Sequence, residues 1–262
     1  MIKCVIVEDE PLFSKNLQQL LKKADVTLQV KAVCADIDSA CTAIKKHQPD
    51  LVFLDIYLNG NEQGGFDLLN MFKIIPFDVI FTTAFVDQNI QQIRACGLDY
   101  IMKPYMEDEL SDAIEKFNRK KFGAIRAEQL QTLLRNLEVQ DIDEHIVSFY
   151  AGNDNIVVKV KDIICCHGVD MTTHFFIRDY DKPNVLKKVT LSKGIGKVAE
   201  ILAAYGIIKI HRSYLVNHKH VANYSTKSVK LREFAKTPIG YSRELPVSDG
   251  YRSDFQRLMG KL

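Results

Sequence analysis

Short apolar runs alternate with helical stretches through the first 121 residues. The apolar runs have strand length, and apolar positions recur at helical spacing in the stretches between them. The predicted strands are Ile2–Val7, Leu28–Cys34, Asp50–Ile56, Val79–Thr83 and Tyr100–Met102. The predicted helices are Pro11–Lys23, Ile37–His47, Phe66–Phe72, Ile90–Cys96 and Glu107–Lys120. Continuously apolar strands that alternate with helices favour an α/β fold, a doubly wound parallel sheet covered on both faces.

The pattern changes after residue 145, where short β-rich runs are separated by turn signals such as Gly152-Asn153-Asp154. Helical spacing is present only in Gly194–Tyr205 and after Asp249. The predicted strands are Ile146–Tyr150, Ile156–Val160, Phe175–Arg178, Val185–Leu191, Ile207–Ile210, Val221–Tyr224 and Val229–Leu231. We therefore expect a mostly-β domain over residues 145–262.

Residues 122–144 join the two parts and are predicted to form a helical linker. Leu130, Leu133, Leu134 and Leu137 follow the i, i+3, i+4, i+7 spacing of one apolar helix face. This face either packs on a neighbouring domain or forms a dimer contact, and the sequence leaves both open. The predicted domains are residues 1–121, 122–144 and 145–262.

Composition and charge narrow the class of protein. The chain has 262 residues, of which 47% are hydrophobic and 26% charged, and this excludes a wholly disordered chain. No apolar run approaches the ~18 residues of a membrane helix, and the first residues do not resemble a signal peptide. We expect a cytoplasmic protein. Net charge is −4 over residues 1–122, −3 over 123–144 and +9 over 145–262. The positive charge of the last segment indicates either a polyanionic partner or a basic face that is merely solvated.

The six cysteines include no C-x-x-C pair. We expect reduced and mostly buried thiols rather than a metal or redox site.

Polar residues stand where the predicted parallel strands end. Glu8 and Asp9 follow the first strand, Asp55 ends the third, Thr83 the fourth and Lys103 the fifth. The carboxyl ends of such strands form the ligand site of open α/β sheets, so these side chains should converge. Three carboxylates favour Mg²⁺, and an Asp there can accept a phosphoryl group. Lys103 and Thr83 would stabilise the developing charge.

This ordered set of Glu-Asp, Asp, Thr-Ala and Lys-Pro resembles the receiver domain of two-component response regulators. The resemblance implies a flavodoxin-like (βα)5 fold, Asp55 as the phosphoacceptor and a sensor histidine kinase as partner. It also implies Mg²⁺ held by Glu8, Asp9, Asp55 and the Tyr57 carbonyl, and a switch pair of Thr83 and Tyr100. The alternatives are a degenerate receiver, or a haloacid-dehalogenase-type phosphatase, whose Asp-x-Asp pair is missing because Tyr57 follows Ile56.

Two bulky residues lie close in sequence to the predicted phosphoacceptor and to Thr83. Tyr57 lies two positions after Asp55, and Phe85 lies two positions after Thr83. We expect them to hinder attack by water and to lengthen the life of a phosphorylated state. The residue pair Lys103-Pro104 can adopt a cis peptide bond.

The densest basic cluster lies in Ile208–Asn217, which is predicted to be a strand, a polar turn and another strand. Arginine commonly reads guanine and asparagine adenine, while lysine and histidine reach phosphates. The candidate DNA contacts here are Lys209, His211, Arg212, Asn217 and Lys219. A solvated basic sheet edge is the alternative.

The segment Ile210-His211-Arg212-Ser213-Tyr214-Leu215-Val216-Asn217 resembles the hallmark of the LytTR DNA-binding domain. The resemblance implies that loops enter successive major grooves of double-stranded promoter DNA, with dimers on direct repeats. It assigns three contact regions, at His174 or Thr173, at Arg212, and around Ser248-Asp249. Asp249 stands where the family usually has Arg, so either Arg243 or Arg252 replaces it or this loop does not touch DNA.

Together these features predict a response regulator that is no enzyme. A kinase would phosphorylate Asp55 with Mg²⁺, and the phosphorylated chain would form a homodimer and bind DNA to control transcription. The alternative is a receiver-gated module that binds protein or RNA instead.

Overall fold

The computed structural model describes residues 1–24, 28–84, 88–119, 124–151, 154–182 and 184–260. The chain divides into two compact units. The first comprises Met1–Arg94 and Leu98–Arg135, and the second Ala95–Gly97 and Asn136–Leu262. The domain boundaries drawn from the sequence remain a prediction.

The first unit is built on a parallel five-stranded sheet flanked by helices. Its strands are β1 (Ile2–Val7), β2 (Leu28–Cys34), β3 (Leu51–Asp55), β4 (Asp78–Thr83) and β5 (Asp99–Met102). Its helices are α1 (Pro11–Ala24), α2 (Ile37–His47), α3 (Gly64–Asn70), α4 (Gln88–Ala95), α5 (Glu107–Arg119) and α6 (Ala124–Glu138). The strand order β2-β1-β3-β4-β5 is the flavodoxin-like order, which confirms the predicted fold class.

Burial explains why these segments form a covered sheet. Every residue of β3 and β4 is buried, as expected for strands with helices on both faces. Leu17 and Leu21 of α1 pack with Phe53 of β3 and Phe117 of α5 in one apolar cluster. Burial of these apolar side chains fixes the sheet, and with it the positions of the polar residues at the strand ends.

The second unit is mostly β. Its strands are β6 (Ile146–Ala151), β7 (Asp154–Lys159), β8 (Ile163–Val169), β9 (Thr172–Arg178), β10 (Leu186–Leu191), β11 (Ile207–His211), β12 (Tyr214–Asn217), β13 (Val221–Tyr224), β14 (Ser228–Leu231) and β15 (Glu244–Pro246). Its helices are α7 (Ile195–Leu202) and α8 (Asp249–Met259), with four short 3₁₀ turns. The antiparallel sheets have the orders β10-β9-β8-β12-β11, β13-β14-β15 and β6-β7.

The five-stranded antiparallel sheet has an apolar cluster on each face. Cys166 and Phe175 belong to one cluster, and their chain neighbours Cys165 and Phe176 belong to the other. This is the strand alternation of side chains, with both faces covered. The sheet's central strand, β8, was not among the predicted strands, because its Cys-Cys pair and Gly168 obscure the apolar pattern.

The leucine stripe of α6 is largely covered by the chain itself. Leu130 is 1% exposed and Leu133 is fully buried, whereas Leu134 and Leu137 are partly buried. The structure therefore favours packing over a dimer contact for the first two leucines.

All six cysteines are buried and unpaired, as expected for reduced thiols. Burial raises the pKa of Cys4 and of Cys96 to about 12, which disfavours the reactive thiolate. Within the described ranges, no helix is long and apolar enough to cross a membrane.

Candidate functional site

Three carboxylates meet at the carboxyl edge of the parallel sheet. Glu8 and Asp9 follow β1, and Asp55 ends the neighbouring strand β3. One oxygen atom from each of the three side chains lies within 4.8 Å of the others. Adjacent parallel strands end at the same edge, so residues 46 or 47 positions apart in sequence come together here.

Lys103, which follows β5, brings a buried positive charge to these carboxylates. Its Nζ lies 2.5 Å from Oδ2 of Asp55 and 2.6 Å from Oε2 of Glu8. The Lys103–Pro104 peptide bond is cis. The ammonium pairs with two of the three carboxylates, and the cluster has excess negative charge when all three are ionised.

The protonation of Asp55 reflects this environment. Burial raises the pKa of the Asp55 carboxyl to about 6, and the negative charge of Glu8 adds to the effect. The Lys103 ammonium and the Tyr57 N–H, which donates to Oδ1 over 3.1 Å, act in the opposite direction but do not cancel it. A cation that entered the cluster would favour the ionised form of Asp55.

The donor set fits Mg²⁺, which prefers hard oxygen ligands. The Asn59 N–H donates to Oδ2 of Asp9 over 2.9 Å and orients that carboxylate. Glu8, Asp9 and Asp55 are the residues that would hold the ion. A role of the Tyr57 carbonyl as a further ligand stays a prediction.

Two contributors to this site escaped the sequence interpretation. The Tyr105 hydroxyl donates to Oε2 of Glu8 over 3.0 Å. A Cβ at Gly65 would lie 2.4 Å from the Asp55 carbonyl oxygen, so only glycine lets α3 approach the end of β3 this closely. The sequence holds no specific signal for Tyr105, whereas Gly64-Gly65 before a helix was an available signal for the close approach of α3.

The predicted switch residues occupy neighbouring strands. Thr83, at the end of β4, is fully buried. Tyr100 on β5 is half-buried, and its hydroxyl accepts hydrogen bonds from Nε of Arg94, over 2.7 Å, and from Nη2 of the same side chain. The Arg94 guanidinium also lies 5.0 Å from the Tyr100 ring centroid. Arg94 of α4 therefore holds the Tyr100 ring, while the switch itself remains a prediction. Phe85 lies outside the described residues.

In the second unit, the polar turn predicted in the basic cluster joins β11 to β12. Arg212 lies in this turn and is exposed. The Ser213 N–H donates to Nδ1 of His211 over 3.1 Å, and the Ser213 carbonyl accepts from the Gly168 N–H of β8 over 2.8 Å. These bonds tie the turn to the sheet and leave the Arg212 guanidinium free to reach outward.

A row of polar side chains crosses the five-stranded sheet beside this turn. Successive strands place Thr190, His174, His167, Tyr214 and His211 as direct cross-strand neighbours. His167 stacks on Tyr214 with ring centroids 4.4 Å apart. Burial and the neighbouring histidines lower the pKa of His167, so it is uncharged at neutral pH. The predicted contacts His174 and His211 therefore lie at the same end of the sheet as Arg212.

Asn217 is wrongly predicted as a DNA contact. It is 1% exposed, and its Nδ2 donates to the carbonyl oxygens of Val160, over 3.2 Å, and Ile163, over 3.0 Å. Its Oδ1 accepts from the Lys219 N–H over 3.1 Å. The amide is fully used inside the unit, where it holds the 3₁₀ turn before β8 to the end of β12.

The two lysines predicted to contact DNA differ in their surroundings. Lys219 is exposed, and its Nζ pairs with Oδ2 of Asp143. It follows the end of β12 that lies away from the Arg212 turn. Nζ of Lys209 lies 5.5 Å from the Tyr251 ring centroid. Contact of either lysine with DNA remains a prediction.

The two arginines proposed to replace a family arginine at position 249 are both engaged. Arg252 pairs with Asp249 itself, and its Nε donates to the Thr226 carbonyl over 2.9 Å. Nε of Arg243 donates to the Leu231 carbonyl over 3.0 Å, and its Nη1 lies 3.3 Å from Glu233. Arg252 offsets part of the charge of Asp249, whose side chain remains 89% exposed beside the third predicted contact region.

Family comparisons match both parts of the chain. The family model for the response regulator receiver domain matches residues 4–115, and the model for the LytTr DNA-binding domain matches residues 153–260. Together they cover most of the sequence.

Curated relatives align over almost the whole chain. The sensory transduction protein LytT of Bacillus subtilis is 25% identical over 254 residues, which cover 94% of this chain and 98% of the relative. LytT of Enterococcus faecalis is 26% identical over 98% of each chain. The transcriptional regulatory protein BtsR of Salmonella typhimurium is 32% identical over 46% of this chain and 50% of its own.

Among solved structures, the receiver domain of the PhyR response regulator from Erythrobacter litoralis matches with 25% identity and a TM-score of 0.37. The match covers 47% of this chain and 95% of the PhyR receiver-domain chain. A TM-score this low carries no weight for function. The family is shown instead by the two family models and by the relatives that align along almost their full length. The chain belongs to the response regulators that combine a receiver domain with a LytTR DNA-binding domain.

Proposed function

We propose that Asp55 accepts a phosphoryl group from a sensor histidine kinase and that this modification controls sequence-specific binding of promoter DNA. The observation that carries the first half is the cluster of Glu8, Asp9 and Asp55, in which the Lys103 ammonium pairs with Glu8 and Asp55. A single buried carboxylate does not require two further acids beside it. A site that binds both a cation and a phosphoryl group requires all three carboxylates.

In this reaction an Asp55 carboxylate oxygen attacks the phosphorus atom, and the phosphorus–nitrogen bond to the kinase histidine breaks as the imidazole leaves. Bound Mg²⁺ supplies charge neutralisation for the carboxylates and the phosphoryl oxygens. Lys103 stabilises the negative charge of the phosphoryl group, and the Thr83 hydroxyl donates to one of its oxygens. Burial raises the pKa of Asp55 only to about 6, so most of the carboxyl groups are still ionised at neutral pH and can attack phosphorus.

The DNA half of the proposal rests on the exposed Arg212 turn and the adjoining histidine row at one end of the sheet. The net charge of +9 over residues 145–262 supplies attraction to phosphates. Arg212 reads a base edge, and His174 and His211 contact the backbone or bases beside it.

Phosphorylation of Asp55 favours a homodimer, and two linked DNA-binding domains then engage direct repeats with raised effective concentration. The output is control of transcription rather than turnover of a metabolite. Because kinase and promoter act in the same compartment, we place the protein in the cytoplasm.

Two experiments test the two halves. The full chain is incubated with Mg²⁺ and a small phosphodonor, and peptide mass spectrometry should locate the phosphoryl group on Asp55. An unmodified Asp55, with wild-type chain and Asp55→Asn indistinguishable, would refute the first half.

In vitro selection from random duplex DNA at physiological salt should recover a repeated motif.

The second candidate function is a receiver-gated module for RNA or protein. It is favoured by Asp249, which places an acid in the third predicted contact region. Selection that enriches no duplex, together with binding of RNA at the same salt concentration, would support this function instead.

A further inference from the structure

A basic cleft lies at the end of the antiparallel sheet remote from Arg212. Its volume is about 470 Å³, and it gathers four cationic side chains and one acid from the second unit. These residues are Asp143, Lys161, Arg178, Lys219, His220 and Arg232. This volume falls within the range of small-molecule sites, and the cleft is open to solvent.

Two buried polar atoms of the cleft have no hydrogen-bond partner, namely Nε of Arg178 and Nδ1 of His220. His220 is only 5% exposed, and its Nε2 donates to the Lys161 carbonyl over 2.8 Å. His220 lines the cleft, and its buried Nδ1 keeps a free lone pair, or a proton when the ring is charged, without a partner in the fold. Buried polar atoms are nearly always paired with protein or with ordered water, so these two atoms call for a partner that the fold itself does not supply.

The charges of the cleft are only partly balanced. Lys161 is bonded to Glu144 and Lys219 to Asp143. In contrast, no acidic side chain of the described part of the chain forms an ion pair with Arg178 or Arg232. Burial lowers the pKa of His220 to about 4, and the positive charges of Arg178 and Arg232 contribute to this. Both guanidinium groups therefore act on the His220 ring, and together they leave the cleft in need of a negative charge.

We propose that this cleft binds the phosphate group of a small phosphorylated molecule through Arg178, Arg232 and His220. Arginine offers planar N–H donors that match phosphate oxygens, and its charge-assisted bonds are the strong ones. His220 pairs with a protonated phosphate oxygen, or takes up a proton as the anion binds. The cleft has room for an organic group beyond the phosphate.

The same phosphate chemistry could come from a DNA backbone, and the geometry separates the two sources. Arg178 lies four residues beyond His174 on β9, which corresponds to roughly 14 Å along the strand. The cleft therefore lies apart from the predicted base-contact row. A free phosphorylated ligand should occupy it while DNA is bound.

Calorimetric titration of the full chain with inorganic phosphate, at constant ionic strength, tests this site. We expect saturable binding with one phosphate per cleft. Arg178→Gln and Arg232→Gln should each weaken it at least tenfold, while Arg257→Gln, which removes an exposed arginine of α8, should not. No saturable binding by the wild type, or equal losses in all three variants, would overturn the proposal.

His220 supplies a readout that does not depend on the folding of the Arg178 variant. In NMR titrations of the wild-type chain, phosphate should move the His220 pKa upward. If phosphate leaves the His220 pKa unchanged, water rather than phosphate occupies the cleft, and the proposal fails. Added duplex DNA identifies the source, since displacement of the phosphate assigns the site to the DNA backbone and co-binding assigns it to a free ligand.

Discussion

Replacing Asp55 with asparagine should stabilise the receiver unit at neutral pH. The substitution keeps the shape of the side chain but removes a carboxylate that is 3% exposed. The folded chain raises the pKa of this carboxyl from 3.8 to about 6, mainly by burial. That difference corresponds to about 3 kcal/mol of unfavourable free energy when Asp55 is ionised.

The sign follows from proton linkage. Between about pH 4 and pH 6 the folded state binds more protons at Asp55 than the unfolded state, so stability falls as pH rises through this window. The wild type should lose about 3 kcal/mol relative to Asp55→Asn between pH 4 and pH 7.5. At pH 4 the two proteins should be nearly equal, because Asp55 is then protonated in the folded state.

Urea titration with hydrogen-exchange mass spectrometry on peptides from β1 and β3 measures this quantity. The local readout is needed because two compact units do not unfold as one two-state system. Asp112→Asn, at an exposed position of α5, is the matched control and should show no such pH dependence. Added Mg²⁺ should stabilise the wild type more than Asp55→Asn, since it binds the folded carboxylates. A wild type that becomes more stable than Asp55→Asn as pH rises would mean that Lys103 outweighs burial, and the reasoning would be refuted.

Three further substitutions have distinct expected outcomes. Arg212→Ala should cost about 1–3 kcal/mol in binding the selected duplex but little on random DNA, measured by fluorescence anisotropy; equal losses would restrict Arg212 to phosphate contact. Asn217→Ala should lower the free energy of unfolding of the second unit by about 1–3 kcal/mol, measured by hydrogen exchange, because two buried carbonyl groups lose their donor. Tyr57→Asn should speed loss of the phosphoryl group, and a tenfold effect corresponds to about 1.4 kcal/mol in the barrier. An unchanged rate would show that Tyr57 does not shield the phosphoryl group.

The first unit was predictable from sequence because its inner strands β3 and β4 are largely apolar and buried throughout. Each apolar run stops at a polar residue, so the sequence alone marks Glu8 and Asp55 as strand-end residues of β1 and β3. Parallel packing then requires these ends to meet. The contribution of Tyr105 was not predictable, because a tyrosine after a Lys-Pro pair fits equally well as a packing residue.

The second unit was harder to predict, because its strands are short and its central strand β8 has no clear alternation. Asn217 illustrates the limit. Its place in a basic, DNA-like motif suggested base recognition, but its amide binds the backbone carbonyls of Val160 and Ile163. Those partners lie more than 50 positions away, and only the folded chain brings them together. The orphaned atoms of Arg178 and His220 were invisible for the same reason.

The central claim is that phosphorylation of Asp55 controls DNA binding. It is tested most directly by the affinity of the full chain for its selected duplex, before and after treatment with Mg²⁺ and a small phosphodonor, in the wild type and in Asp55→Asn. We predict that treatment tightens binding by the wild type at least tenfold and leaves the affinity of Asp55→Asn unchanged. An equal gain in both proteins, or no gain in the phosphorylated wild type, would contradict the account.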